Sequence, residues 1–164
     1  MLEKDSAMIA QPTWPVIRLV IPGQPIGKGR PRIGTFRGHG RAFTPQKTVR
    51  WEEAAVFAIR AAVGSPMLST PVRLDIVAVF DRPQKMFTKK WPNRRELHTV
   101  KPDKDNVEKI VADALQKAGV IRDDCLICDG GTSKRYADRV EEAHVEILIS
   151  PASVTNTTKQ ENQP

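Results

Sequence analysis

The chain has 164 residues, of which 40% are hydrophobic, and it contains only two cysteines. This length is typical of one domain with its own core, and two cysteines exclude a disulfide scaffold. The chain carries 26 lysines and arginines against 19 aspartates and glutamates, a net charge of +7, which favours a polyanionic partner such as nucleic acid over a merely solvated basic surface.

The predicted elements begin after a polar lead. Residues 1–13 are expected to be disordered, and charges and a proline interrupt this stretch before any long apolar run develops. We therefore expect no secretory signal and no membrane segment, and a cytoplasmic location. The β-branched run at residues 16–21 predicts the first strand.

A basic stretch rich in glycine and proline follows the first strand. Residues 22–45 contain six glycines and four prolines, and no acid occurs between Asp5 and Glu52. This composition excludes a helix and predicts short extended pieces and turns that carry basic side chains. The next segment predicts a helix that is capped near Thr44, has Pro45 in its first turn and ends at Gly64.

The middle of the chain predicts one buried strand and one excursion. Residues 71–80 alternate apolar and polar side chains and become more apolar toward the end, as expected for a strand that is increasingly buried. Residues 81–100 are basic and broken by prolines, so we expect a surface excursion. The histidines show no ligand spacing and are expected to be surface imidazoles; they are His39, His98 and His144.

A second helix is predicted to begin within the sequence KPDKDNVEK at residues 101–109. Apolar residues repeat with helical spacing from Val107 to Ala118, and Gly119 supplies a C-terminal stop. Asp105 stands at the expected N-cap, with Glu108 three residues later as the partner of a capping box. A cap of this kind explains Asp105 without any metal.

Capping does not explain Asp103. If residues 103–105 are extended, Asp103 and Asp105 point to the same side and repel each other unless a positive charge lies between them. The helix N-terminus supplies a partial charge, and Mg²⁺ or Mn²⁺ would supply a stronger one. Lys109, one turn into the helix, either contacts a phosphate there or forms an ordinary pair with Asp105 or Asp113.

The last predicted elements follow a pair of acids, Asp123 and Asp124. We expect a turn, a short strand and a glycine turn up to residue 138, and a closing strand over 139–149. Residues 151–164 form a polar tail that is expected to be disordered. The fold class is therefore α+β, with a mixed β-sheet packed against a few helices in one compact domain over residues 14–150.

The chain resembles the RusA family of Holliday junction resolvases. The resemblance covers about residues 16–149 and rests on IPGQPIGKGRPR after the first strand, KPDKDN with Lys109 following, and DALQKAGVIRDD before a strand. It implies a homodimeric endonuclease that depends on Mg²⁺, with Mn²⁺ as a possible substitute, and that nicks four-way DNA junctions symmetrically in recombination and repair.

The resemblance also implies roles for individual residues. Asp103, Asp105 and Asp124 would be metal-binding and catalytic, and Lys109 would be the catalytic lysine. Backbone phosphates would be bound by basic residues in the two basic runs, without reading of sequence. These residues are Lys28, Arg30, Arg32 and Lys101.

Two other functions remain open on the residues alone. In a non-catalytic DNA-binding module, the acids would only cap the helix. In a glycosyltransferase, the Asp-x-Asp pair would bind a nucleotide-sugar diphosphate through a metal, although the short basic chain leaves little room for two substrates. An Asp103→Asn variant separates these functions, because only a nuclease loses Mg²⁺-dependent cleavage.

Overall fold

The structure is a computed structural model that describes residues 14–36 and 39–153. The expected disorder of residues 1–13 and of most of the 151–164 tail concerns residues outside these ranges. Within them, two helices and seven strands follow one another along the chain. They are β1 (Ile17–Pro22), β2 (Arg32–Phe36), β3 (His39–Phe43), α1 (Gln46–Val63), β4 (Val72–Phe80), β5 (Glu96–Leu97), α2 (Lys104–Ala118), β6 (Ile127–Tyr136) and β7 (His144–Pro151).

Five of the strands form one mixed sheet in the order β1-β7-β4-β6-β5. β4 lies at its centre, antiparallel to β7 and parallel to β6. The parallel pair needs a long crossover, and the segment containing α2 supplies it. β2 and β3 pair as a separate hairpin within the basic stretch. The predicted α+β class and the single compact domain are confirmed.

The main core lies between the two helices and one face of the sheet. The alternation predicted for β4 is observed, because Leu74 and Ile76 are buried while Arg73 and Asp75 between them are half-buried. The ladder predicted for α2 is also observed, and Gly119 ends that helix in the left-handed conformation. The buried apolar residues of α2 are Val107, Ile110, Val111, Ala112, Ala114, Leu115 and Ala118.

Several boundaries differ from the predicted ones. α1 begins at Gln46 with Pro45 at the N-cap, so Thr44 is not the cap. β7 begins at His144 rather than at residue 139 and reaches Pro151. No glycine turn interrupts β6, because Gly130 continues the strand at a φ of +113°. A Cβ atom there would overlap the carbonyl of Leu74, so the close approach of β4 requires glycine at this position.

The excursion after β4 is anchored to the domain instead of lying loosely on its surface. Arg82 is 7% exposed and donates hydrogen bonds to four backbone carbonyls. Those carbonyls belong to Ala137, Met86, Pro92 and Arg94. The short strand β5 then pairs with β6. This buried guanidinium fixes the path of the chain toward α2. Neither helix is long and apolar enough to cross a membrane.

Candidate functional site at the start of the second helix

The N-terminus of α2 presents two aspartates that no capping interaction uses. Asp103 occupies the N-cap with extended dihedral angles, yet its side chain makes no capping hydrogen bond. Asp105 lies in the first helical turn, so the predicted N-cap and the predicted extended pair are wrong. The capping box is also wrong, because the Glu108 carboxylate accepts a hydrogen bond from Thr132 Oγ1 at 2.7 Å. The first turn of α2 thus leaves both aspartates open to solvent.

Little positive charge in the chain compensates these two carboxylates. Asp105 pairs only with Lys109, at 3.4 Å between Nζ and Oδ2, and both side chains are 65% exposed. A pair so exposed contributes at most a few tenths of a kcal/mol, roughly. Asp103 has no ion-pair partner among the described residues. Free carboxylate oxygens are the ligands that hard divalent cations prefer.

Asp124 lies at the opposite end of the sheet from these aspartates. Val107 of α2 packs against Phe80 at the end of β4, whereas Ile127, just after Asp124, pairs with Val72 at the start of β4. The nine residues of β4 span roughly 26 Å at about 3.3 Å per residue. Asp124 is exposed, and its neighbour Asp123 accepts a hydrogen bond from the Cys125 backbone N–H.

The three predicted metal ligands therefore do not converge within one chain. Among residues 14–36 and 39–153, the group whose ligand atoms all lie within 4.8 Å of one another is a different one, Glu141, His144 and Glu146. The Arg95 guanidinium already binds both glutamates of this group, with Nε 3.0 Å from both Glu141 oxygens and Nη2 2.6 Å from Glu146. It is best described as an ion-pair network. The catalytic roles of Asp103, Asp105, Asp124 and Lys109 stay predictions.

The predicted DNA-binding residues differ in their surroundings. The Lys28 ammonium is 2.6 Å from Glu52 and also contacts Asp113, so it joins the basic loop to both helices. Burial opposes ionisation of Glu52, but hydrogen bonds from Lys117 and Lys28 hold its pKa below the usual value. Lys28 therefore has a structural role in the chain, and phosphate binding by it stays a prediction.

The other predicted DNA-binding residues line a cleft beside Asp103. Arg30, Arg32 and Lys101 project around a cavity of about 810 Å³ together with Lys47, which the sequence did not single out. These four side chains have no ion-pair partner in the part of the chain that the structure describes. The cleft therefore carries free positive charge next to an open carboxylate, an arrangement that suits a phosphate backbone and its metal ion.

Two groups of residues were missed by the sequence analysis. His98 lines the same cleft and is 7% exposed, so the expectation of a surface imidazole is wrong for it. His144 belongs to the Arg95 network, and the side chain of His39 lies outside the described residues. Strand alternation places His144 and Glu146 on one face and could have indicated their contact, but no local pattern marks His98.

One family model and two relatives match this chain. A family model described as endodeoxyribonuclease RusA matches residues 22–149. The chain is 28% identical over 142 residues to the uncharacterized protein YqaN of Bacillus subtilis (strain 168), covering 84% of this chain and 97% of that one. It is 29% identical over 108 residues to the crossover junction endodeoxyribonuclease RusA of Aquifex aeolicus (strain VF5), covering 66% of this chain and 73% of that one.

Proposed function

The chain belongs to the RusA family of endodeoxyribonucleases, and we propose that it resolves four-way DNA junctions by paired, Mg²⁺-dependent nicks. The observation that carries this proposal is the pair of exposed, uncapped carboxylates, Asp103 and Asp105, beside a cleft with four cations that have no ion-pair partner among the described residues. A cellular role in DNA recombination and repair, in the cytoplasm, follows from such an activity and is part of the proposal.

The donor set at the start of α2 suits Mg²⁺, with Mn²⁺ as a substitute. Asp103 and Asp105 offer oxygen ligands on an exposed helix end, where waters and a phosphate can complete the coordination. A bound Mg²⁺ would polarise the scissile phosphate and lower the pKa of a water. Lys109, one turn further along α2, would stabilise negative charge that develops on the phosphate.

A homodimer would resolve the separation of Asp124 from the other two aspartates. In one chain Asp124 and Asp103 lie at opposite ends of β4. In a dimer with twofold symmetry, Asp124 of one chain can approach Asp103 and Asp105 of the other, and the symmetry then creates two equivalent sites. Two such sites match two strands cut at symmetric positions, so we propose that each site combines residues of both chains.

The cationic cleft would position the DNA. Arg30, Arg32 and Lys101 carry charges that phosphates can share without any sequence preference. Binding to a junction is then expected to weaken steeply as salt rises, because phosphate contacts release counterions. Binding that hardly changed between 50 and 200 mM salt, roughly the range in which such contacts matter, would contradict phosphate recognition.

Cleavage of a synthetic four-way junction tests the proposed activity. With Mg²⁺ present, the wild type should produce paired nicks, and Asp103→Asn should lose cleavage by about 10³-fold or more because the transition state loses a metal ligand. The variant should still bind the junction, and somewhat more tightly, since a negative charge near phosphate has gone. If Asp103→Asn cleaved as fast as the wild type, the proposed metal site would be wrong. If the wild type bound the junction without cleaving it, the protein would be the non-catalytic DNA-binding module considered above.

Subunit mixing tests whether each site combines two chains. Asp103→Asn and Asp124→Asn homodimers should both be inactive. After the two variants are unfolded and refolded together, half of the dimers would be mixed, and each mixed dimer would have one intact site and one doubly altered site. About a quarter of the wild-type number of sites should return, as single nicks. No recovery would indicate that Asp124 acts within its own chain or has another role.

A further inference from the structure

The cleft beside Asp103 has a preformed shape. Its wall is the loop before β2, and an added Cβ at Gly27 of this loop would be 2.7 Å from the Cβ of Pro102, just before α2, and 3.1 Å from that of Asn106 within it. At Gly29 an added Cβ would be 2.6 Å from Thr48 Oγ1. The Lys28 N–H donates to the Asn106 carbonyl at 2.8 Å. These contacts hold the loop against both helices, so the cleft exists before any ligand enters.

The cleft has a charged rim and a less polar interior. Arg30, Arg32, Lys47 and Lys101 supply the charges, and Asp103 is the acid that lines it. The interior includes apolar and aromatic groups together with the half-buried amide of Asn106, while the amide of Gln24 on the lining is exposed. The apolar and aromatic members are Pro25, Ile26, Phe80 and Pro102. A phosphate alone would contact only the charged rim, whereas a whole nucleotide has a phosphate for the rim and a base for the less polar interior.

His98 is a buried polar group that lines this cleft, as Thr48 is. Its ring stacks on Phe80 with centroids 3.9 Å apart and lies 4.6 Å from the ring of Tyr136. The side chain is 7% exposed, and Nδ1 has no hydrogen-bond partner among the residues that the structure describes. A buried polar atom without a partner is costly to the folded protein. The ring therefore retains the capacity for one more hydrogen bond when a ligand enters the cleft.

The surroundings of His98 keep its imidazole neutral. Burial lowers the pKa of His98, and the nearby Lys134 ammonium lowers it further. Lys134 is fixed beside it, because its Nζ donates to the carbonyls of Val100 and Pro102 at 2.7 and 2.6 Å. A neutral imidazole presents one donor and one acceptor, and an amide presents both. Such groups match the edge of a nucleobase better than they match a phosphate, which only accepts.

From this arrangement we propose that the cleft accepts one unstacked nucleotide of the DNA, with its phosphate at the arginine rim and its base beside His98 and Asn106. The inference rests on the proposed function and adds the ligand of the cleft to it. Bases inside a duplex are paired and stacked and cannot enter such a cleft without flipping. At a branch point this cost is smaller, so the cleft would favour junctions over duplex DNA.

Four-way junctions with one abasic nucleotide test the proposal. The abasic nucleotide is moved position by position around the crossover, and affinity is measured by fluorescence anisotropy in EDTA. For the wild type, one position should lower affinity by about 5- to 100-fold, the usual effect of losing one base contact. His98→Phe keeps the ring stack but removes both nitrogens. It should bind the intact junction more weakly than the wild type does. An abasic nucleotide at the same position should lower its affinity by less than about 3-fold, because its base contact is already lost.

The controls separate this inference from protein stability and from catalysis. His144→Phe changes a histidine outside the cleft and should keep the wild-type response. If His98→Phe does not fold, as judged by circular dichroism, Asn106→Ala reports on the same cleft and should also lose the response.

The inference is overturned if no abasic position weakens wild-type binding, which would mean that the cleft holds backbone phosphate alone. It is also overturned if the cleft variant that folds keeps the full response. Since no metal is present, these outcomes do not depend on cleavage. A wild type that cleaves junctions without any positional response contradicts only this inference, whereas an active Asp103→Asn contradicts only the proposed nuclease site.

Discussion

The start of α2 and the Arg95 network both gather acidic side chains, but they differ in how far a nearby cation offsets the negative charge. In the network, Glu141 and Glu146 hold one guanidinium between them, and His144 Nε2 lies 3.1 Å from Glu146. At the start of α2, Asp103 has no ion-pair partner among the described residues, and Asp105 has only the exposed Lys109. The tighter cluster is thus the one that needs no metal.

This difference teaches that proximity of ligand atoms is a poor sign of a metal site. The two glutamates already accept hydrogen bonds from the Arg95 guanidinium, and a divalent ion would have to displace it first. Carboxylates left open on a helix end lose little when they bind an ion. Function is therefore expected where carboxylates are left open to solvent, and stability where they share a fixed cation, which three experiments can test.

The largest contrast is expected in catalysis. Asp105→Asn should reduce Mg²⁺-dependent junction cleavage by about 10²-fold or more, because it removes a proposed metal ligand. Glu141→Gln, in the network, should change cleavage by less than about 3-fold once the fraction of folded protein is accounted for. Single-turnover cleavage at saturating protein measures both. Similar losses in the two variants would remove the distinction between the two acidic regions.

An intermediate contrast is expected in stability. Arg95→Met leaves two half-buried glutamates without their shared partner and should lower the free energy of unfolding by about 1–2 kcal/mol. Arg94→Met is a matched control in the adjacent residue, whose side chain is 75% exposed and pairs only with Glu96. It should cost less than about 0.5 kcal/mol. Urea unfolding followed by circular dichroism compares them, and equal losses would show that the network does not stabilise the fold.

The smallest contrast is expected in the acid dependence of stability. Hydrogen bonds from Arg95 lower the pKa values of Glu141 and Glu146 below 4.5 in the folded protein. At low pH the unfolded chain therefore binds more protons at these groups than the folded one does. Their stabilisation is fully present above pH 4.5 and is lost as the pH falls through the depressed values.

Arg95→Met should therefore lose stability less steeply between pH 5 and 3, roughly, than the wild type does. Urea midpoints measured across this range give the two slopes. Parallel slopes would mean that other carboxylates dominate acid unfolding.

The elements with strong periodicity could be predicted from the sequence. Where the structure differs from the prediction, the difference has a physical reason. β4 and α2 were predictable because each buries one regular face. The continuation of β6 through Gly130 could not be predicted, because the need for glycine there comes from the nearby Leu74 carbonyl, which is distant in sequence. Asp105 has the spacing of a cap, but the helix begins one residue after Asp103 instead.

The candidate site was predictable only in part. The sequence identified Asp103 as an acid that capping does not explain, and the structure leaves its side chain uncapped. It did not identify His98 or Arg82, whose burial depends on contacts with distant strands and loops rather than on neighbouring residues. The separation of Asp124 from Asp103 follows from the direction of β6, which residue types alone do not determine.

Lys28 joins the basic loop to both helices through its ion pairs with Glu52 and Asp113. These ion pairs immobilise the backbone from which Arg30 and Arg32 project. The conformational entropy of this loop is therefore lost when the protein folds and not when it binds DNA. Lys28→Met should then weaken DNA affinity even under conditions in which its own charge is screened. A residue can thus affect DNA recognition by keeping its neighbours rigid, without contacting the DNA itself.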